Sequence, residues 1–428
     1  MSKLLIKNGT IVNSNDTYVS DILVENGKIV KIDKDISISD CDVIDATGKH
    51  VLPGLIDLHV HLREPGLEYK EDIESGSKAA VHGGFTGIAC MPNTKPVCDN
   101  AVTVGYIVNR AKEVGLCKVY PIGAATKGLD GAELAEIGKM KKLGAVAVSD
   151  DGKPVATGQM TRLVMEYAAD FSIKLHAHCE DKSLSGDGVV NEGKYSTFVG
   201  LKGIPNVSET AGVVREIAIA ENFNKEVHIC HVSTKESVDA IRQAKARGVK
   251  VTAETCPHYF TLTDEAIVNF DTSTKVNPPL RAESDRLAII EGLRDGTIDA
   301  IATDHAPHHV DDKRVEYAYA AFGITGLETS FALSYTKLVK ENGFTMSKLV
   351  KLMSENPAKI INVDGGKIEV GECADLAIVD LGADWVVDKT KFYSKGKNTP
   401  FDGMKVSGQV FATVFGGKIV YKEDKIYG

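Results

Sequence analysis

Histidines and acids recur at the ends of apolar runs in this 428-residue chain. The run VLPGLIDLHVHL closes in Asp57-x-His59-x-His61. Alternate side chains of an extended strand share a face, so all three point the same way, with the two imidazoles nearest the strand's end. A lone histidine reads as a core or surface residue, whereas a His-x-His pair ending an apolar strand reads as a metal chelate. Four other runs end in Ser149-Asp150-Asp151-Gly152, His176-Ala177-His178, His228-Ile229-Cys230-His231 and Asp304-His305.

Strand parity sorts these candidates. His228 and His231 are three apart and are expected on opposite faces, so one enters the interior; His231 lies nearer the strand end, and His228 reads as structural. His176 and His178 share a face, with His176 a layer deeper as a hydrogen-bonded core residue and His178 as the ligand. Asp304 and His305 point oppositely, and the carboxylate of Asp304 suits both metal binding and proton transfer. Parity does not separate Asp150 from Asp151. Cys179 and Cys230 adjoin ligands and are expected to alternate away from the interior.

Four histidines and two carboxylates exceed the three protein ligands of a single catalytic zinc and suit two zinc ions. A carboxylate such as Asp151 supplies one bridge between the metals and hydroxide the other, and the hydroxide is the nucleophile.

These residues must be held by a regular scaffold. Eight apolar runs, VLPGLIDLHVHL, FTGIACMP, KVYPIG, AVAVSD, IKLHAHC, EVHICHV, VKVTAET and IDAIATDHAP, alternate with helix-like amphipathic stretches. Near-continuous apolar strands between helices indicate a parallel sheet covered on both faces, and eight units over about 300 residues predict an α/β fold, a (β/α)8 TIM barrel, over 53–364. Barrel enzymes carry their chemistry at the C-terminal ends of the strands, where these residues fall. No Gly-x-Gly-x-x-Gly fingerprint or phosphate loop opens any unit, which removes the dinucleotide-binding alternative. Both chain ends differ in texture. Residues 1–52 and 365–428 carry short alternating runs around Asn-Gly, Thr-Gly and Gly-Gly turns, and together they predict one small composite β-sandwich domain.

Composition excludes several classes. Hydrophobic residues make up 43% and charged residues 25%, the values of an ordinary globular chain. With 50 Lys and Arg against 59 Asp and Glu, the net charge of −9 argues against nucleic-acid or anionic-membrane partners, so an anionic substrate must meet a local positive site. The N-terminus lacks a signal-peptide pattern and no 18-residue apolar stretch follows, which predicts a cytoplasmic address. Eight cysteines without a Cys-x-x-Cys pair read as reduced thiols.

The strings DLHVHLREPG at 57–66, MPNTKPVCDN at 91–100, SDDGKPV at 149–155, NPPLR at 277–281 and ATDHAPH at 302–308 together resemble the amidohydrolase superfamily, and within it the dihydroorotases of Bacillus-like bacterial type. The resemblance runs along the whole chain. It implies His59, His61 and Asp304 as ligands of one metal, His178 and His231 of the other, and Asp151 as the bridge, which resolves the choice from Asp150. Many relatives bridge their metals with a carboxylated lysine; AVAVSDDG has none, and Lys153, in a Gly-Lys-Pro turn, reads as solvated or substrate-facing.

The implied reaction is reversible hydrolysis of (S)-dihydroorotate to N-carbamoyl-L-aspartate, running toward ring closure in pyrimidine biosynthesis, with Asp304 as general base and acid. Arg63, directly after the histidine pair, has the planar fork that clamps a carboxylate. Asn93 joins it by resemblance, as do Asn277, His308 and the backbone groups of Phe322 and Gly323. Residues 306–323 read as a loop closing over the substrate. Hydantoinase, dihydropyrimidinase and allantoinase are the alternatives on the same scaffold, and a non-catalytic partner of a transcarbamoylase is a further one. A homodimer and association with aspartate transcarbamoylase complete what the resemblance implies.

Overall fold

The computed structural model describes residues 3–427. All eight apolar runs supply the strands of one parallel sheet: β1 (Leu55–Val60), β2 (Phe85–Cys90), β3 (Lys118–Ala124), β4 (Ala147–Ser149), β5 (Leu175–Ala177), β6 (Val227–Ile229), β7 (Val251–Thr255) and β8 (Ala300–Ile301). Each pairs with its sequence neighbour, in the order β8-β7-β6-β5-β4-β3-β2-β1. The ring is nearly closed at the end of the first strand, where Val60 bridges His305 and the His61 N–H donates to the His305 carbonyl at 2.8 Å. Closure therefore brings the Asp57-x-His59-x-His61 strand beside the Asp304-His305 segment, 243 positions later for the His61–Asp304 pair.

Helices such as Ile73–His82, Ala101–Val114, Gly158–Ala169 and Lys235–Ala246 cover the outside. Their starts are set by side-chain caps, with Asp72, Asn100, Thr157 and Thr234 each accepting from a first-turn N–H, a contribution of about 1 kcal/mol apiece. Their inner faces place Val81, Val104, Ile107, Val164 and Ile241 against the outward residues of the strands in one continuous apolar layer.

The chain ends form a second sheet. Strands Lys3–Val12, Thr17–Glu25, Lys28–Asp33, Asp42–Asp45 and His50–Pro53 join Leu376–Val386, Lys405–Phe415, Lys418–Lys422 and Lys425–Ile426 in one nine-stranded sheet, with Asp42–Asp45 pairing Lys3–Val12 off the main path. The two ends meet where His50–Pro53 pairs antiparallel with Leu376–Val379. Ile6, Ile22, Val51, Ile368, Leu376 and Val414 share its core. The first apolar run is thus divided: Val51–Pro53 belongs to this sheet and Leu55 onward to the barrel. Gly54 marks the joint, where a Cβ would sit 2.0 Å from Oγ1 of Thr86.

Between Leu376–Val386 and Lys405–Phe415 the chain leaves the sheet and returns to the barrel mouth. Ser394 donates to Glu71 there, and the Tyr393 N–H donates to Glu328 at 2.6 Å. Among the described residues no helix is long and apolar enough to cross a membrane.

Candidate metal centre and substrate pocket

Six side chains converge at the C-terminal mouth of the barrel. Oδ1 of Asp151, two residues past β4, lies 3.5 Å from Nε2 of His59, 3.4 Å from Nδ1 of His178 and 3.5 Å from Nε2 of His231. Its Oδ2 lies 3.6 Å from Nε2 of His61. Oδ1 of Asp304 stands 3.4 Å from His59 Nε2 and 3.1 Å from His61 Nε2. Two ligand triads result, His59–His61–Asp151 and Asp151–His178–His231, with Asp151 common to both. Asp304 sits on the His59–His61 side.

This donor set fits cations. His59 Nε2 and Asp151 Oδ1 are buried without a hydrogen-bond partner. The facing ring nitrogens of His178 and His231 are 2.9 Å apart, and because Glu180 accepts from His178 Nε2, the Nδ1 of a neutral His178 turns a lone pair toward His231 and Asp151. Burial opposes the charge on Asp304, yet the imidazoles of His59 and His61 outweigh it and hold its pKa at about 2. Burial likewise opposes charge on His178, but the carboxylates of Asp151 and Glu180 raise its pKa to about 9. A pair of divalent ions would supply the same positive charge and leave the imidazoles neutral, as ligands must be.

Backbone form decides which side chains reach the centre. His231 has φ of 37° and Asp304 φ of 49°, so both leave the extended geometry just after their strands. The parity expectation for β6 therefore fails. His228 also faces inward, with Nε2 3.2 Å from Oε2 of Glu254, and His231 is turned in by its left-handed backbone. Cys230 is inward too: its sulfur lies within 4.8 Å of ligand atoms on His59 and Glu254. Cys179 packs in the outer apolar layer, as parity indicates. His176 is buried against His228, ring centroids 4.4 Å apart, but neither of its nitrogens has a hydrogen-bond partner, unlike the bonded core residue expected. His305 points away from the centre toward Glu71, at 3.3 Å.

Asp150 accepts from the N–H groups of Ala125 and Thr126 at 2.9 and 3.0 Å, which turns it from the centre and leaves Asp151 facing it. Lys153 is exposed.

Three buried carboxylates lie behind the imidazoles. Oε1 of Glu254 is 3.1 Å from His59 Nδ1, Oε2 of Glu180 is 3.0 Å from His178 Nε2, and Glu71 holds His305. Sequence reasoning missed all three. For Glu180 a signal existed, since it follows His178 by two; Glu254 and Glu71 are brought in only by tertiary closure. The fourth such partner is Asn93, whose Oδ1 lies 2.8 Å from His61 Nδ1. Because an amide oxygen only accepts, His61 Nδ1 carries a proton and donates it to Asn93, whose amide NH₂ remains available as a donor.

Beside the centre lies a cationic pocket. Arg63 is 8% exposed, and burial lowers its pKa to about 10. Its Nε donates to the Pro307 carbonyl at 3.3 Å, and among the described residues no carboxylate lies within ion-pair distance of it. Nη2 is 3.4 Å from Nε2 of His308. Lys70 Nζ donates to His308 Nδ1 at 3.3 Å, so Nε2–H donates to the Phe322 carbonyl at 2.8 Å. Burial, then Arg63 and Lys70, push the His308 pKa down to about 2, so the ring is neutral.

Asn277 donates to Glu180 at 3.2 Å, on the His178 side. The Gly323 N–H donates to the Lys275 carbonyl at 2.9 Å, and its φ of 128° brings a notional Cβ to 2.6 Å from Ala306, a site for glycine alone. The stretch 306–323 is tied down by Lys313, which donates to Ala321 at 2.7 Å, and by Lys275, which donates to Tyr317 and Ala318 at 3.0 and 2.8 Å.

Comparison with known proteins gives the family and the fold. The dihydro-orotase-like family matches residues 48–237, and the amidohydrolase family matches 210–421. A dihydroorotase of Acetivibrio thermocellus is 55% identical over 422 residues, covering 98% of this chain and 99% of that one. One from Thermoanaerobacter sp. is 52% identical, covering 99% of this chain and 98% of its own. Among solved structures, the L-hydantoinase (dihydropyrimidinase) of Arthrobacter aurescens is 28% identical with a TM-score of 0.89, covering 100% of this chain and 98% of that chain.

Proposed function

Because the chain belongs to the dihydroorotase family of amidohydrolases, we propose that it interconverts (S)-dihydroorotate and N-carbamoyl-L-aspartate, with two zinc ions per chain held by His59, His61, Asp151, His178, His231 and Asp304. The observation that carries the substrate assignment is Arg63, a buried guanidinium beside the metal ligands without an anionic partner among the described residues. A buried unpaired cation is costly, and a bound carboxylate removes that cost. Dihydroorotate brings one; the neutral rings of hydantoin, dihydrouracil and allantoin do not.

Bound zinc lowers the pKa of water toward neutrality and polarises a carbonyl oxygen. The chain's own groups do the rest. Arg63, neutral His308 and the amide of Asn93 fix the substrate carboxylate, which sets the ring amide against the centre and so turns binding into orientation. Asp304, ionised at neutral pH, accepts the proton of the attacking water as the new C–O bond forms. It returns that proton to the ring nitrogen as the C–N bond breaks. In the direction of ring closure Asp304 takes the proton from the carbamoyl nitrogen instead.

Glu254, Glu180 and Asn93 hold the ligand rings in the tautomer this requires. The reading extends to action in the cytoplasm, as a homodimer, with aspartate transcarbamoylase as the partner protein. The test is zinc titration of metal-free protein with dihydroorotate turnover as readout. Activity should rise to a plateau near two zinc ions per chain. Full activity in metal-free protein, or faster turnover of dihydrouracil or allantoin than of dihydroorotate, would overturn it.

A further inference from the structure

We infer that Asn398, supplied by the C-terminal part of the chain, is a positioning residue for recognition of the substrate carboxylate; the inference rests on the reading of Arg63 and His308 as the carboxylate clamp. Asn398 lies in the excursion between Leu376–Val386 and Lys405–Phe415, far outside the barrel in sequence, and is 6% exposed. Its side chain is fully used. Oδ1 accepts from the His308 N–H at 3.1 Å, and Nδ2 donates to the carbonyls of Ala306 at 3.1 Å and Gly323 at 3.0 Å. Its own carbonyl accepts from the Thr325 N–H at 2.9 Å.

These four bonds brace the junction of two segments, 306–308, just after Asp304, and 323–325, which also bond each other directly where the Ala306 N–H donates to the Ile324 carbonyl at 2.7 Å. The clamp is assembled from that junction. Arg63 Nε is anchored on the Pro307 carbonyl, and the His308 ring is anchored on the Phe322 carbonyl. Pro307 and Phe322 are therefore each one residue from an atom that Asn398 holds. The excursion is fitted closely to them: a Cβ at Gly396 would lie 2.7 Å from both Asn398 Oδ1 and Pro307 Cβ.

An amide is the one side chain of this size that offers an acceptor to an N–H and two donors to carbonyls at once. Aspartate keeps the acceptor but sets a charge against two carbonyl oxygens, and alanine leaves an N–H and two carbonyls without partners. The metal ligands touch none of these atoms. Loss of Asn398 should thus disturb binding of the carboxylate and spare the metal centre and the proton transfer of Asp304.

The experiment compares Asn398→Ala, Asn398→Asp and His308→Ala, alone and as the Asn398→Ala/His308→Ala double variant, in zinc-loaded full-length protein. The readouts are KM and kcat for dihydroorotate, bound zinc and melting temperature. Asn398→Ala should raise KM by about 10-fold or more with kcat within about 3-fold and zinc unchanged, the pattern of lost binding that is equal in ground and transition states. The double variant should cost less than the product of the two single effects, because part of what Asn398→Ala loses is the placement of the His308 ring. Unchanged KM in Asn398→Ala with only a lower melting temperature overturns the inference, as do fully additive effects in the double variant. If Asn398→Ala does not fold, Asn398→Asp and Asn398→Ser carry the same comparison, and normal KM in either folded variant counts against it. Unchanged KM in His308→Ala removes the clamp reading itself. A raised KM there with normal KM in the Asn398 variants sinks only the role of Asn398.

Discussion

Glu254 sets Oε1 3.1 Å from Nδ1 of His59, on the ring edge opposite the one that faces Asp151 and Asp304. Its other oxygen is 3.2 Å from His228. Burial works against the charge, but the imidazoles of His228 and His59 hold the carboxyl well below the usual range. An ionised Glu254 fixes the proton of His59 on Nδ1, which leaves Nε2 with its lone pair toward the metal site. Glu254→Gln keeps the shape and loses the charge. It should weaken metal retention by about 10–100-fold, as removal of such a partner does at other histidine sites. Chelator competition followed by metal analysis measures this, and unaltered retention in a folded variant would show that Glu254 does not orient His59.

Asp304→Asn separates ligation from proton transfer. The amide oxygen still faces His59 and His61, but the side chain no longer accepts a proton at neutral pH. Turnover should fall by about 10²–10⁴-fold, the usual worth of a general base, while bound metal stays near that of the parent. Near-normal turnover would remove Asp304 from the proton path.

Much of this was legible in the sequence. Each of the eight apolar runs became a barrel strand, because strands buried on both faces leave a compositional trace that does not depend on tertiary detail. The placement of the site at the strand ends followed from the same reading. What parity could not reach was the backbone just beyond a strand. His231 and Asp304 have left-handed conformations there, so a period-two argument carried past Ile229 put His228 and Cys230 on the wrong face. Contacts fixed by closure left no local trace either. Glu254 meets His59 across 195 positions, and Asn398 meets His308 across 90. The excursion that carries Asn398 reads locally as a polar turn-rich stretch between two strands; only its docking on the barrel mouth gives its amide a role.

Arg63 tests the carboxylate reading directly. Arg63→Met keeps much of the buried stem and removes the charge. Truncating one partner of a buried, hydrogen-bonded charge pair costs about 2–5 kcal/mol, so kcat/KM for dihydroorotate should drop by roughly 30-fold or more. Arg63→Lys should not restore it, since the guanidinium fork both grips the Pro307 carbonyl and presents further N–H groups to an anion. Steady-state kinetics on both variants decides the matter: efficient catalysis by Arg63→Met would mean that the carboxylate is held elsewhere.

Lys313 links the anchoring of residues 306–323 to pH. It is buried, and burial first, then repulsion from Lys275, bring its pKa from 10.5 down to about 7. The unfolded chain restores the higher value. Between about pH 7 and 10.5 the unfolded state therefore binds more protons at this position than the folded one, so this side chain makes stability rise with pH across that window. The bond to Ala321 survives deprotonation, since a neutral amine still donates. Below pH 7 both states are protonated and the full cost of the buried ammonium remains. Lys313→Met removes the titration, so its melting temperature should exceed or match that of the parent near pH 7 and lose that advantage by about pH 9.5. Thermal melts of the two proteins across this range supply the difference curve. A constant gap between them would mean that Lys313 stays charged in the folded protein and that its three donors are satisfied despite burial.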